Sequence, residues 1–143
     1  MTGAMRILLP VDGSANSERA VKHVIDLVKS CQAFEVHLLN VQASMRGDVS
    51  SFVGKDAMED WHRDEAEKAL ATAKKLLDGA GVPYKMHIGI GNPGDVIASF
   101  ASKLGCGQIV MGTRGLGSAF GLLLGSVTTH VISHVNVPVT LIK

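Results

Sequence analysis

The sequence predicts an α/β fold, a single domain built on a five-stranded parallel β-sheet with helices on both faces. Short apolar runs rich in branched residues alternate along the chain with segments whose apolar residues recur every three or four positions. The first pattern is typical of buried strands and the second of amphipathic helices. Their alternation implies parallel strands connected by helices that cross the sheet. A chain of 143 residues has the length of one such domain.

The first strand and helix are predicted near the N-terminus. Residues 1–4 precede the first apolar run and are expected to form a loose tail. Met5–Val11 predicts a buried strand that ends at a turn. Ser14 is a residue type that caps helices, and a helix is predicted from there to about Ser30. Its apolar face is formed by Ala20, Val21, Val24, Leu27, Val28 and Cys31.

A polar segment separates the second strand from the second helix. Glu35–Val41 predicts the strand, and residues 42–55 predict a mobile loop because they are polar and irregular. A long helix follows over residues 56–80. Its inward side chains are expected to be Ala66, Ala69, Leu70, Ala73, Leu76 and Leu77.

Three further strands and two further helices are predicted in the second half. The start of the third helix is well marked, because Asn92 is a preferred N-cap and Pro93 suits the first helical position. Asp95 then lies near the positive end of the helix dipole. The predicted strands span residues 82–90, 108–111 and 138–142, and the predicted helices span residues 93–104 and 125–134.

Composition excludes several classes of function. A net charge of +1 and a pI near 7.9 argue against a dedicated nucleic-acid binder, which usually has a pI above about 9. No apolar run approaches the roughly 20 residues needed to cross a bilayer, and the first residues lack the pattern of a secretory signal. Cys31 and Cys106 lack metal-binding spacing and are expected to be reduced thiols. We therefore expect a soluble, cytoplasmic protein that binds neither nucleic acid nor membrane.

A glycine-rich loop is the most informative local feature. It reads Gly112-Thr-Arg-Gly115, then nine residues, then Gly125-Ser126, between a predicted strand and a predicted helix. Glycines let backbone amides approach an anion, and a helix that begins at Gly125-Ser126 would add free N–H groups. The same glycines would also suit a flexible surface loop, so the spacing alone leaves both interpretations open.

Two further observations favour phosphate binding. After Asp95 the chain contains no Asp or Glu, so no fixed negative charge there repels a polyanion. In open parallel sheets, ligands bind beyond the carboxyl ends of the strands, where the strand order reverses. If the first and fourth strands are neighbours, the turn after Pro10 and the loop from Gly112 meet at such a crevice.

Competing motifs have structural interpretations. Gly89–Gly94 matches GxGxxG, but it follows the third strand and lacks an acidic residue about 20 positions further on, so we interpret it as a helix cap. His130 and His134 lie four residues apart on a helix without a third ligand nearby in sequence. We interpret them as surface or packing histidines.

Several of these segments together resemble a known family. Val11-Asp12-Gly13-Ser14, Gly91-Asn92-Pro93 with Ile97, the pattern from Gly112 to Ser126, and Val137-Pro138-Val139 look like a universal stress protein domain. The resemblance spans essentially the whole chain, and the glycine–serine pattern is the one associated with ATP-binding members. It implies a flavodoxin-like sheet of order 3-2-1-4-5, a bound adenine nucleotide and a homodimer. The apolar edge at residues 138–142 is the expected contact between protomers.

The resemblance also implies roles for individual residues. The adenine pocket is expected to be lined by Pro10, Val11, Asp12 and Val41, with Asp12 and backbone groups contacting the purine edge. Met111, Gly112 and Gly115 are expected along the ribose and phosphates. Gly125, Ser126 and Val127 are expected to offer amides and a hydroxyl to the phosphates. The resemblance assigns no catalytic residue and no protein ligand to a metal.

The chain departs from the family in its charge. Members often carry basic residues in the nine-residue spacer, whereas residues 116–124 contain none, which leaves Arg114 as the nearby cation. The charge of a triphosphate must then rest on backbone amides, Arg114, a Mg²⁺ or Mn²⁺ ion, or a partner chain. ADP or AMP is therefore an alternative to ATP.

The expected function is an ATP-binding regulatory module of the stress response rather than an efficient enzyme. Fast phosphoryl transfer needs a positioned base and strong charge clamps. Asp12 is the one evident base near the glycine loop, and the resemblance places it on adenine. Slow hydrolysis or self-phosphorylation on Ser126 or Thr128 is compatible with this expectation. The alternatives are a nucleotide-independent dimeric scaffold and a genuine phosphotransferase or ATPase.

Overall fold

The computed structural model describes residues 4–31, 33–43, 55–113 and 124–143, with the side chains of all of these except residues 55–59. Most of the predicted tail, residues 44–54 of the predicted loop, Arg114 and Gly115 lie outside the described residues. No helix in the described ranges is both long enough and apolar enough to cross a membrane.

The predicted strands and helices are all confirmed. The strands are β1 (Met5–Pro10), β2 (Phe34–Gln42), β3 (Tyr84–Ile90), β4 (Gln108–Gly112) and β5 (Val139–Ile142). The helices in the described part of the chain are α1 (Ala15–Cys31), α2 (Lys55–Gly79), α3 (Pro93–Lys103) and α4 (Ser126–His134).

The strands form one parallel sheet of order β3-β2-β1-β4-β5. The chain moves outward from β1 to β3 and then crosses back to β4, so the strand order reverses between β1 and β4. Leu8 of β1 pairs with His37 of β2 on one side and with Ile109 of β4 on the other. The topology expected from the resemblance is therefore confirmed, and the carboxyl ends of β1 and β4 lie side by side, where ligands of such sheets bind.

Each face of the sheet has its own hydrophobic core. Ile7 and Leu9 of β1 face α1 and α2, whereas Leu8 between them faces α3 and α4. All three side chains are fully buried, as expected for a central strand covered on both faces. This burial holds the end of β1 rigidly at the point where the strand order reverses.

Two predicted helix caps are confirmed. The Ser14 hydroxyl accepts a hydrogen bond from the Ser17 N–H at 3.2 Å at the start of α1. The Asn92 side-chain oxygen accepts one from the Asp95 N–H at 3.2 Å at the start of α3. In each case a side chain takes up one of the N–H groups that the first helical turn leaves without an intrahelical partner.

The prediction that Cys31 lies on the buried face of α1 is wrong, because this residue is exposed. Burial decreases along the helix, from the fully buried Val21 and Val24 to the half-buried Leu27 and Val28. The apolar spacing continues to Cys31, but the last turn no longer faces the core.

Candidate functional site

The end of β1 is fixed by its neighbour β2. Pro10 is buried and Val11 is 5% exposed. The Val11 N–H donates to the Leu39 carbonyl at 2.9 Å, and the Val11 carbonyl accepts from the Asn40 side-chain amide at 2.8 Å. The side-chain oxygen of Asn40, a buried residue, accepts in turn from the Gln42 side chain at 2.7 Å. Both backbone groups of Val11 are thus engaged before any ligand arrives.

The turn after Val11 presents an exposed carboxylate. Asp12 accepts a hydrogen bond from the Ser14 N–H through Oδ1 at 2.9 Å, and its side chain is exposed. Gly13 has a φ of +84°, a conformation that favours glycine, and an added Cβ would lie 3.3 Å from the Ala69 Cα. The turn is therefore held against α2, and the position of Asp12 follows from it.

The end of β4 is a close-packed cradle. Gly112 is half-buried, and a Cβ at this position would overlap Oδ1 of Asn16 in α1. The Asn16 side-chain amide donates to the Ile142 carbonyl at 2.9 Å, and the Thr113 N–H donates to the same carbonyl at 2.9 Å. A glycine at position 112 thus lets β4, β5 and α1 meet at one point.

The helix α4 begins beside that point. The Gly125 N–H donates to the Thr113 carbonyl at 2.8 Å, and the buried Thr128 donates its hydroxyl to the Gly112 carbonyl at 3.1 Å. These two bonds fix the first turn of α4 against the end of β4. Ser126 is exposed at the first helical position, and Val127 is half-buried.

The N-terminus of α4 differs from those of α1 and α3. Gly125 is its N-cap residue, with φ −66° and ψ 158°, and among the described residues no side chain caps the helix. With respect to those residues, the N–H groups of its first turn are available to an external acceptor, at the positive end of the helix dipole. No Asp or Glu follows Asp95 in the sequence to compete with that acceptor.

The apolar residues expected at the site fall on the two faces of the sheet. Val41, Met111 and Val127 pack in the core on the side of α3 and α4, with Met111 6% exposed. Val11 packs on the opposite side, with α1 and α2. The structure thus places three of the expected residues in one core and Val11 in the other.

Sequence reasoning missed three buried polar residues, Asn16 and Asn40 beside the candidate site and His62 of α2. His62 of α2 is 4% exposed, and its Nδ1 has no hydrogen-bond partner among the described residues. A signal for His62 was present, because it lies four residues before Ala66 on the apolar stripe of α2. Asn16 and Asn40 gave no such signal, since the groups they contact are distant in sequence.

Two of the three glycines in the GxGxxG match, Gly89 and Gly94, serve packing. A Cβ at Gly94 would overlap the His130 ring, and a Cβ at Gly89 would come within 3.0 Å of the Phe100 ring. Together with the Asn92 cap, these contacts confirm the interpretation of this motif as the start of α3.

His130 is a half-buried packing histidine and His134 is an exposed surface histidine, in agreement with their interpretation from the sequence. His130 contacts Asp95 through Nε2 at 2.6 Å and stacks on His134 with 4.0 Å between ring centroids. In the part of the chain that the structure describes, no group of three or more His, Cys, Asp or Glu side chains is arranged to hold a metal ion.

Comparison with known proteins agrees with this architecture. The sequence profile of the universal stress protein family matches residues 3–143. Universal stress protein MJ0531 of Methanocaldococcus jannaschii is 36% identical over 144 residues, which cover 96% of this chain and 81% of that protein. The solved structure of MJ0577 from the same archaeon matches with a TM-score of 0.82 at 34% identity, and the match covers 99% of this chain and 97% of that one.

A more distant match shares the fold. A universal stress protein family member from Arabidopsis thaliana, solved with AMP bound, has a TM-score of 0.68 at 23% identity. That match covers 97% of this chain and 91% of the plant protein. On the evidence of its sequence profile and its archaeal relatives, the chain belongs to the universal stress protein family.

Proposed function

We propose that this protein is a regulatory module that binds ATP at the carboxyl edge of the sheet, between β1 and β4, with the phosphates at the start of α4. The observation that carries the proposal is the open N-terminus of α4. Ser14 and Asn92 close α1 and α3 with side-chain oxygens, whereas Gly125 leaves the first turn of α4 uncapped. This uncapped turn lies beside Gly112, where the strand order reverses.

The phosphates would be bound by backbone amides. The first-turn N–H groups of α4 provide the donors, and the exposed Ser126 adds a hydroxyl. Arg114 and Gly115 lie in the sequence between Gly112 and Gly125 and are proposed to complete the site. Arg114 is the cation proposed to offset the charge of the terminal phosphates.

The adenine would lie against the side chains of Val41 and Met111. Because the Val11 N–H is already bonded to Leu39, it is not available as a donor to the purine. Contact with the purine edge is left mainly to the Asp12 carboxylate, which has one oxygen engaged with the Ser14 N–H. A mostly apolar pocket with a few directed polar groups is typical of sites for such ligands.

The plant relative supports this choice of ligand class. Its structure holds AMP within the same fold. At 23% identity it shares the fold alone, so the assignment to this chain rests on the uncapped helix and the glycine cradle. ADP and AMP remain alternatives to ATP for the same site.

A divalent ion would enter with the nucleotide. Since no metal-binding group of three side chains exists in the described ranges, we propose that phosphate oxygens hold Mg²⁺ or Mn²⁺, with the Ser126 hydroxyl as the contribution of the protein. Hydrolysis would be slow, far below the roughly 1 to 100 per second of kinases, because the proposed site has one basic side chain, Arg114, and no dedicated general base.

The test is recovery of the ligand itself. The purified protein is denatured and the released small molecules are identified by mass spectrometry, and the ligand-free protein is then melted with and without ATP and Mg²⁺. We expect an adenine nucleotide in the first measurement and a raised melting temperature in the second, since a ligand of the folded state stabilises it by mass action. Absence of both would contradict the proposal.

A further inference from the structure

A chain of three hydrogen-bonded side chains crosses from β2 to β3, on the face of the sheet that α3 covers. His37 Nε2 lies 3.1 Å from Glu35 Oε1, and His37 Nδ1 lies 2.9 Å from His87 Nε2. His37 is 3% exposed, so water does not replace these partners. None of the three residues belongs to the candidate nucleotide site.

The contacts define where the protons lie. An ionised carboxylate only accepts, so His37 Nε2 carries the hydrogen that is donated to Glu35. The His37 Nδ1 of that tautomer is an acceptor, and His87 Nε2 therefore carries the hydrogen between the two rings. The two hydrogen bonds therefore have the same direction: His87 donates to His37, and His37 donates to Glu35.

The paired rings can take up one proton but not two. The first added proton goes to His87 Nδ1, which leaves both hydrogen bonds intact. A second would have to go to His37 Nδ1, where it would point at the N–H of His87 across the 2.9 Å contact. Two separated imidazoles accept two protons, so the open pair binds one proton more than the closed pair.

The surrounding charges also oppose a second positive ring. Glu35 is already paired with Lys85 of β3 at 3.2 Å and with Arg6 of β1 at 3.5 Å. The Phe100 ring of α3 lies 5.7 Å from the His87 ring, and Lys103 lines the same surface groove as Phe100. Burial, together with the positive charge of Lys85, holds the pKa of His87 below its usual value.

We propose that Glu35, His37 and His87 form an acid-sensitive latch between β2 and β3, which opens when the histidine pair takes up its second proton. Opening separates the two rings, loosens the pairing of the edge strand β3 with β2, and removes the contact between His87 and Phe100 of α3. The fraction of open molecules rises as pH falls below the usual histidine pKa of about 6.5, by at most about a hundredfold per pH unit while neither closed ring is protonated and by about tenfold once His87 has taken up its proton. Above that pH the latch stays closed.

The test combines two measurements on the full chain, nitrogen-15 NMR of the imidazoles and amide hydrogen exchange. At pH 7.5 we expect the hydrogen of each contact to lie on Nε2 of its ring, as the hydrogen-bond geometry requires. Between pH 6.5 and 5, after correction for intrinsic exchange, the protection of the β3 amides should fall by up to about a hundredfold per pH unit relative to amides of β5. Unchanged β3 protection, or Nδ1 protonation of His37 at pH 7.5, would overturn the proposal.

Variants separate the latch from other titrating groups. His87→Gln and His37→Gln each remove one ring, and either should abolish the pH dependence of β3 protection. His23→Gln on α1 is the matched control and should keep it. If the pH dependence of β3 protection persists in the variants that fold, the latch proposal is contradicted. Loss of protection throughout the wild-type sheet, rather than in β3, would equally contradict it.

Discussion

Gly112 shows how a single residue positions the candidate site. It ends β4 directly against the side chain of Asn16, and its carbonyl accepts the Thr128 hydroxyl that fixes the start of α4. A side chain here would collide with a group that is itself bonded to the last residue of β5. The requirement for glycine therefore comes from packing, before any ligand is considered.

Gly112→Ala is expected to lower the free energy of unfolding by about 1–3 kcal/mol, because the new methyl group must displace Asn16. Urea denaturation of the two proteins measures the difference. Gly79→Ala at the end of α2 is the matched control, since no atom lies within 4 Å of an added Cβ there. Equal effects of the two substitutions would show that the cradle is not close-packed.

Individual residues could be predicted where their role is local. Ser14 and Asn92 each cap the helix that follows them, and both predictions are confirmed. Asn16 and Asn40 could not be predicted, because the groups they bond, Ile142 and Val11, lie 126 and 29 positions away. Only the folded sheet brings those carbonyls within reach of a side-chain amide.

At the scale of elements, Glu35 joins three strands. Its carboxylate is paired with Arg6 of β1 and Lys85 of β3 while the residue itself lies in β2. The hydrogen bond from Lys85 and the positive charges of Lys85 and Arg6 hold the pKa of Glu35 below its usual 4.5. The ionised carboxylate is thus preferred in the folded state.

Glu35→Gln is expected to reduce stability at neutral pH and to matter less in acid. Because the folded pKa lies below the unfolded value of 4.5, the contribution is fully present above 4.5 and is lost as pH falls toward the folded pKa. Urea denaturation of wild type and variant from pH 7 to pH 3 measures this difference. Glu65→Gln on α2, which removes a single lysine contact, is the control. A difference that grows toward pH 3 would contradict the assignment.

The sequence pattern predicted the strands and helices themselves better than it predicted the contacts between them. The alternation of apolar runs and amphipathic segments predicted all five strands and all four described helices. The contact between His37 and His87 could not be predicted, because it requires the register that pairs Leu39 with His87. The prediction for Cys31 was wrong because its spacing continues the apolar stripe into the last turn of α1, where the helix no longer faces the core.

For the whole molecule, β5 is the edge strand that we propose as the dimer contact. Its four residues are all half-buried, and Lys143 after it carries the nearest charge in sequence. The carbonyls of Pro138 and Ile142 are bonded to β4, so by alternation the N–H groups of Val139 and Leu141 face outward. An apolar edge with free donors is suited to pairing with a second copy.

Val139→Pro is expected to convert a dimer into a monomer, because it removes one outward N–H and leaves the bonds to β4 intact. Light scattering at micromolar concentration gives the mass. Val139→Thr keeps that N–H at similar volume and should remain dimeric. A monomeric wild type, or a dimer that survives Val139→Pro, would place the interface elsewhere.

The central claim, a nucleotide phosphate at the uncapped start of α4, is tested most directly by Gly125→Asp. The backbone at Gly125 has a negative φ, a conformation that residues with a side chain adopt, and an aspartate there would cap α4 and stabilise the helix by about a few tenths of a kcal/mol relative to glycine. The same carboxylate would occupy the amides and repel phosphate. Asn92→Asp, which keeps a cap on α3, is the control. Melting with and without ATP and Mg²⁺ should show Gly125→Asp more stable than wild type alone yet without the ATP-dependent rise that Asn92→Asp retains. An ATP-dependent rise of unchanged size in Gly125→Asp would contradict the account.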